Sequence, residues 1–223
     1  MRRLSMIGSS FKPDAGDRSS MDILTVTADA ELFTCNAYLA LGEEPTLVDA
    51  GAMAGVENVV AEHTDDLSKV VLTHQHSDHV AELDAVLDRF DTDCYAFGDH
   101  PERTHELSDG GDVVIGNETC EVVHTPGHAD DHVSLVGEQS LFSGDVVVYN
   151  DGAFDDGSFG RTDYPGQSRE RLIESIRDLL DRMPDTVDEM YAGHGDVFSG
   201  DVPEVVERAL DRAERREPKY PDE

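Results

Sequence analysis

Four potential metal ligands fall within six consecutive residues of this chain, in the run Thr73-His74-Gln75-His76-Ser77-Asp78-His79. The run follows an apolar stretch, Lys69–Thr73, that reads as a short buried strand, and it opens a segment with helical spacing. In a loop leaving a strand end, alternate residues such as His74 and His76 can point the same way. Asp78 and His79, at the helix start, can face a second point a few ångströms from the first. Imidazole and carboxylate together suit zinc, and iron and manganese also accept them. Three single residues extend the set. His128 lies in His124-Thr125-Pro126-Gly127-His128, Asp145 in Phe142-Ser143-Gly144-Asp145, and His194 in Ala192-Gly193-His194-Gly195. Each follows a strand-like run. A single histidine on such a loop is more often structural, but here every candidate ligand sits at a strand end, where an α/β site gathers.

Two ions about 3.5–4 Å apart would give this cluster a hydrolytic chemistry. Water bridging them loses its proton near neutral pH, one ion polarises a carbonyl or phosphoryl group, and the other holds the leaving atom. No side-chain nucleophile is needed, and no GxSxG elbow is present.

The elements that must position these residues follow from the pattern of apolar residues. Ile23–Thr27, Cys35–Leu41 and Thr46–Val48 read as closely spaced strands with an antiparallel start. Met53 to His63 has helical spacing, Lys69–Thr73 is a strand, His79–Phe90 is an amphipathic helix, and Cys94–Phe97 is a strand. The theme repeats after the Asp109-Gly110-Gly111 turn. Val113–Ile115, Thr119–His124, His132–Val136 and Ser140–Phe142 read as strands, and residues 150–166 as a long loop. Ser168 caps a helix through Leu180; Asp188–Ala192 is a strand and Val202–Arg215 a last helix. The expected class is α/β, four layers with two sheets inside and helices outside. Residues 1–20 are polar and carry no apolar signal core, so they read as an extension, with Met21 an alternative start of translation. Residues 21–223 then form one domain of two αβ halves.

HxHxDH followed by separate His, Asp and His resembles the signature of the metallo-β-lactamase-fold superfamily. The match covers about residues 21–200, with all seven ligand positions filled. The resemblance implies an αββα sandwich with the site at its edge. It implies that His74, His76 and His128 hold one divalent ion, that Asp78, His79 and His194 hold a second, and that Asp145 bridges both. Asp78 and Asp145 are then the catalytic carboxylates, and the ions zinc, with iron or manganese as alternatives. Asp49, in Leu47-Val48-Asp49-Ala50-Gly51, matches the family's first motif, which implies support for the histidine loop; a plain strand-end turn residue is the alternative.

Gly160-Arg161-Thr162-Asp163-Tyr164-Pro165-Gly166 resembles short glyoxalase-II-like hydrolases, which cleave thioesters. Arg161 is the candidate for binding a substrate carboxylate or phosphate, or else for a salt bridge fixing the loop. The same GRTD is similar to persulfide dioxygenases, which use one iron held by two His and one Asp. Nucleases and phosphodiesterases of the superfamily share HxHxDH and are the other alternative. Asp145 points away from antibiotic β-lactamases, whose sites usually lack an Asp bridge. Two departures stand out. The segment from Asp145 to Arg161 is longer than in the usual relative and adds Asp151, Asp155 and Asp156. Only 29 residues follow His194, too few for the helical domain that binds glutathione in full-length glyoxalase II.

Composition narrows the partners. Of 223 residues, 17 are Lys or Arg and 49 Asp or Glu, a net charge of 17 − 49 = −32. A broad phosphate-neutralising face is therefore disfavoured, as is adsorption to anionic lipid. Only three of the cations are lysines (Lys12, Lys69, Lys219). An acidic surface poor in lysine suits a cytoplasm of molar salt, where the Debye length falls to about 3 Å. Such salt also changes the rules for binding RNA, so nuclease chemistry stays open. Three cysteines without CxxC spacing give no disulfide framework. No run of eighteen apolar residues exists. The expectation is a cytoplasmic enzyme with a small-molecule substrate, no membrane association, and a homodimer as the alternative to a monomer.

Overall fold

A computed structural model describes residues 21–219 of the chain. The extension read at residues 1–20 lies outside the described residues. The first half builds a six-stranded sheet. β1 (Ile23–Thr25), β2 (Tyr38–Ala40) and β3 (Thr46–Val48) pair antiparallel in sequence order. β4 (Lys69–Val71), β5 (Asp93–Ala96) and β6 (His105–Glu106) continue the sheet in parallel. Parallel neighbours need a crossover. Helix α1 (Val56–Ala61) supplies it between β3 and β4, and α2 (Ser77–Val80) with α3 (Leu83–Phe90) supply it between β4 and β5.

The second half runs antiparallel through β7 (Asp112–Ile115), β8 (Glu118–His124), β9 (Val133–Val136) and β10 (Ser140–Gly144). A two-stranded ribbon follows, β11 (Val147–Val148) with β12 (Ser158–Phe159). Helix α4 (Arg169–Arg182) carries the chain back to β13 (Glu189–Ala192), parallel to β10. β14 (Phe198–Ser199) forms the edge, and α5 (Val202–Glu214) packs beside α4.

Side-chain alternation along the strands decides the layers. Tyr38, Ala40, Val48 and Val71 face Ile115, Val122, Leu135 and Phe142 between the sheets. Leu39, Leu47 and Val70 turn the other way, onto Val56, Val60, Leu83 and Val86. Val123, Val136 and Leu141 meet Leu172, Ile176, Val205 and Val206. Two sheets thus lie inside and helices outside, the four-layer α/β sandwich expected from the apolar pattern.

Some boundaries differ from that pattern. The helix read as His79–Phe90 is two helices. His79 O accepts from the amides of Ala50 (2.9 Å) and Gly51 (3.0 Å), so the ladder is broken where the β3–α1 loop docks. The strand read as Cys35–Leu41 is ordered as a strand only at Tyr38–Ala40, because Cys35 N and Asn36 N donate instead to Asp78 O and Gly193 O across the site. The loop read at residues 150–166 contains β12, whose Phe159 is fully buried.

Candidate metal centre

The chain leaves β4, β8, β10 and β13 at one edge of the sandwich, and each exit carries candidate ligands: His74 and His76, then His128, Asp145 and His194. Asp78 and His79 sit in α2, directly after the β4 exit. All seven residues expected from the sequence come together. His74, His76 and His128 present donor atoms within 4.8 Å of one another, and so do Asp78, His79 and His194. Asp145 lies between the two trios. Its Oδ1 is 3.4 Å from His79 Nε2; its Oδ2 is 3.3 Å from His128 Nε2 and 3.4 Å from His194 Nε2. Asp78 Oδ2 is 3.1 Å from His194 Nε2.

Hydrogen bonds behind the cluster fix which ring nitrogen faces inward. The Thr73 hydroxyl donates to Asp49 Oδ2 (2.8 Å), so it must accept from His74 Nδ1 (3.1 Å). His74 Nε2 then turns its lone pair to the site. His79 Nδ1 donates to Asp49 Oδ2 (2.9 Å), and His128 Nδ1 to the Arg161 carbonyl (2.9 Å), with the same result for each. His74 Nε2, His79 Nε2 and Asp145 Oδ1 are buried with no hydrogen-bond partner. Polar atoms buried unpaired are costly, and three converging on one point are the signature of a cradle for a cation. The donor set of five imidazoles and two carboxylates matches that purpose.

Electrostatics sort the two trios. Burial drives His74 well below the ordinary imidazole range and lowers His128. Both are held neutral, as ligands must be. Burial acts on His79 too, but Cys35, Asp49 and Asp145 together outweigh it and its pKa lies well above the usual value. Burial likewise opposes the charge on Asp145, yet His194 and His79 hold that carboxyl well below the carboxylate range.

Asp49 is both things the sequence suggested. It occupies a strand-end turn with φ 59°, a left-handed conformation that aspartate tolerates. It also accepts from Thr73 N (2.8 Å), Thr73 Oγ1 and His79 Nδ1, which spends its oxygens on the ligand loop. That disposes of a further grouping, Cys35 with Asp49 and His79. Cys35 is fully buried, and burial pushes its thiol up to about 11. Cys94 and Cys120 are also buried, and no disulfide joins the three.

Sequence reasoning missed His132. It is fully buried at the start of β9, where Asp145 N donates to its Nε2 (2.9 Å). Its Nδ1 donates to Thr125 Oγ1 (2.7 Å), Thr125 to Ser134 Oγ (3.2 Å), and Ser134 to the Ser143 carbonyl (3.3 Å). Every proton in that buried chain has one place to go, and the chain returns to the turn that carries Asp145. The available signal was a pair of polar residues, His132 and Ser134, alternating with Val133 and Leu135 in a strand whose every residue is buried.

A cavity of about 440 Å³ opens onto His76, Asp78, His128, Asp145 and His194. Phe33, stacked on His194 at 5.1 Å, borders it, as does Val148. Arg161 also lines it. Its guanidinium pairs with Asp163 (3.0 and 2.8 Å) and lies over the Tyr164 ring. The salt bridge expected in the loop is therefore present, and the side chain that makes it also lines the cavity.

Residues 30–194 match the family model of the metallo-beta-lactamase superfamily. The chain is 30% identical over 202 residues to a beta-lactamase-like protein 2 homolog of Caenorhabditis elegans, covering 81% of this chain and 61% of that protein. It is 34% identical over 104 residues to a hydroxyacylglutathione hydrolase of Hydrogenovibrio crunogenus, covering 45% of this chain and 39% of that protein. It thus spans less than two thirds of these curated relatives. Among solved structures, that of TTHA1623 in a di-iron-bound form is similar, with 26% identity, a TM-score of 0.61, and coverage of 78% of this chain and 93% of that one.

Proposed function

The chain belongs to the metallo-beta-lactamase superfamily, and from its site we propose a metal-dependent hydrolase that cleaves thioesters at two divalent ions. The observation that carries this reading is Asp145, one carboxylate reaching nitrogens of both ligand trios within 3.4 Å. In this proposal His74, His76 and His128 would hold one ion, Asp78, His79 and His194 a second, and Asp145 would serve both. Such ions would supply Lewis-acid polarisation of the scissile carbonyl and a water of lowered pKa.

The remaining work falls to the protein. Asp49 and the Arg161 carbonyl hold His79 and His128 in their ligand tautomers. Phe33 covers His194 and keeps that side of the cavity apolar. Arg161, held by Asp163 and Tyr164, orients an anionic part of the substrate. The thioester class is supported by the likeness to hydroxyacylglutathione hydrolases and by the Gly160–Gly166 segment. A mononuclear-iron dioxygenase needs three protein ligands, fewer than the seven gathered here. Zinc is the ion we propose, with iron as the alternative that the di-iron neighbour suggests.

Purified protein in molar KCl, assayed on a thioester, a phosphodiester and glutathione persulfide with metal content measured alongside, tests this. Thioester turnover that tracks metal content is expected. Turnover of the phosphodiester or the persulfide alone would overturn the thioesterase reading.

A further inference from the structure

Two buried glycines press against Asp145 at positions where the backbone does not call for glycine. Gly193 and Gly160 have no positive φ, unlike Gly144 (φ 50°) and Gly195 (φ 84°) nearby. Backbone conformation alone would therefore admit alanine at either position. The space around them would not. A Cβ on Gly193 would lie 2.2 Å from Asp145 Oδ1, and one on Gly160 would lie 1.8 Å from the Asp145 carbonyl oxygen.

The two contacts differ in what can yield. The atom facing Gly160 belongs to the main chain, whereas the atom facing Gly193 is the end of a side chain that can rotate. The main chain at Gly193 is held on both sides. Its amide donates to the Gly144 carbonyl (2.8 Å), and its carbonyl accepts from Asn36 N (2.7 Å). The Asn36 side-chain amide donates to the flanking carbonyls of Ala192 (3.0 Å) and Gly195 (2.9 Å). The next atoms that a Cβ on Gly193 would meet are His79 Cε1 at 3.0 Å and the Gly144 carbonyl carbon at 3.2 Å. Those contacts are far less severe than the one with Asp145, so a methyl at position 193 displaces the Asp145 carboxylate first. In its present place Oδ1 stands 3.4 Å from His79 Nε2, and both atoms are buried with no hydrogen-bond partner.

We propose that Gly193 is a positioning residue of the metal centre. The side chain it lacks leaves the room in which the Asp145 carboxylate stands between the two ligand trios. Strand register makes this contact unavoidable. β10 and β13 run parallel with Gly144 opposite Ala192, so Asp145 and Gly193 leave their strands side by side. Any larger residue one position after β13 meets the carboxylate one position after β10. Gly193 offers no ligand atom, yet it decides whether a carboxylate and the histidines around it can share one point. The inference rests on the reading of this site as one that holds metal ions, and it does not depend on the substrate.

The test is a double-mutant cycle read by metal uptake. Wild type, Gly193→Ala, Asp145→Ala and the double variant are stripped of metal, titrated with zinc against a competing chelator, and unfolded in urea in the metal-free state. Gly193→Ala should lose at least about tenfold in zinc affinity, the scale on which changes beside metal ligands act. In the Asp145→Ala background the same substitution should cost little in zinc affinity or in urea midpoint, because no carboxylate remains to be displaced. A role confined to packing would cost the same in both backgrounds. Equal losses, or wild-type affinity in Gly193→Ala, would therefore overturn the assignment. If Gly193→Ala does not fold, the double variant decides: folded, it supports the assignment, and unfolded, it overturns it. Absence of zinc uptake by wild type would sink the reading of the site and the inference with it, whereas uptake by wild type with uncoupled losses would sink the inference alone.

Discussion

In the proposed mechanism Asp145 is the residue on which the chemistry converges, because its oxygens face nitrogens from both trios. Asp145→Ala removes the carboxylate between the two trios, and a loss of at least about a hundredfold in turnover is expected, since changes in outer partners alone reach 10–100-fold. Asp145→Asn keeps the shape without the charge and should also be poor. Steady-state assays with metal analysis check both; near-wild-type turnover with full metal content would remove Asp145 from its role. His132→Phe tests the scaffold behind it. It fills the space but leaves the Asp145 amide without an acceptor, a cost of about 1–3 kcal/mol in stability. Urea unfolding of the metal-free protein measures it, and an unchanged midpoint would show that the buried chain through Thr125 and Ser134 contributes nothing. The candidate ligands were legible because histidines and aspartates in tight motifs announce themselves. His132 was not, because its role depends on which strand ends fold beside it.

At the scale of elements, the longer strands were legible from β-branched runs and their alternation, whereas the two-residue strands β6 and β14 were not read; Ser168 caps α4 as its position suggested, accepting from Arg171 N at 3.3 Å. What failed were places where a tertiary contact overrides local periodicity. The α2–α3 break depends on amides of residues 50 and 51, nearly thirty positions upstream, capturing the His79 carbonyl. The β11–β12 ribbon depends on α5, whose arginines hold its loop. Arg212→Ala releases the Gly157 carbonyl and Asp156, and uncovers the Phe154 ring beneath the guanidinium. A loss of about 0.5–1.5 kcal/mol is expected, with faster proteolytic cleavage between residues 151 and 159. A variant as stable and as resistant as wild type would mean that the segment holds its place without α5.

For the whole molecule, the charge of −32 is the dominant fact. Ion pairs such as Arg182 with Glu121, Asp109 and Asp178 neutralise part of it, but 17 cations cannot balance 49 carboxylates. Screening at molar salt shortens the reach of that repulsion to about 3 Å. The melting temperature should therefore climb steeply from low to molar KCl, and indifference to salt would sink the reading of a protein suited to saline surroundings. Among the described residues no helix is long and apolar enough to cross a membrane. The central claim is that one edge of this sandwich holds two ions between seven side chains. Elemental analysis of protein purified without chelator tests it most directly. The account predicts about two divalent ions per chain in wild type. A single ion per chain, retained after His76, Asp78 and His194 are replaced, would contradict it.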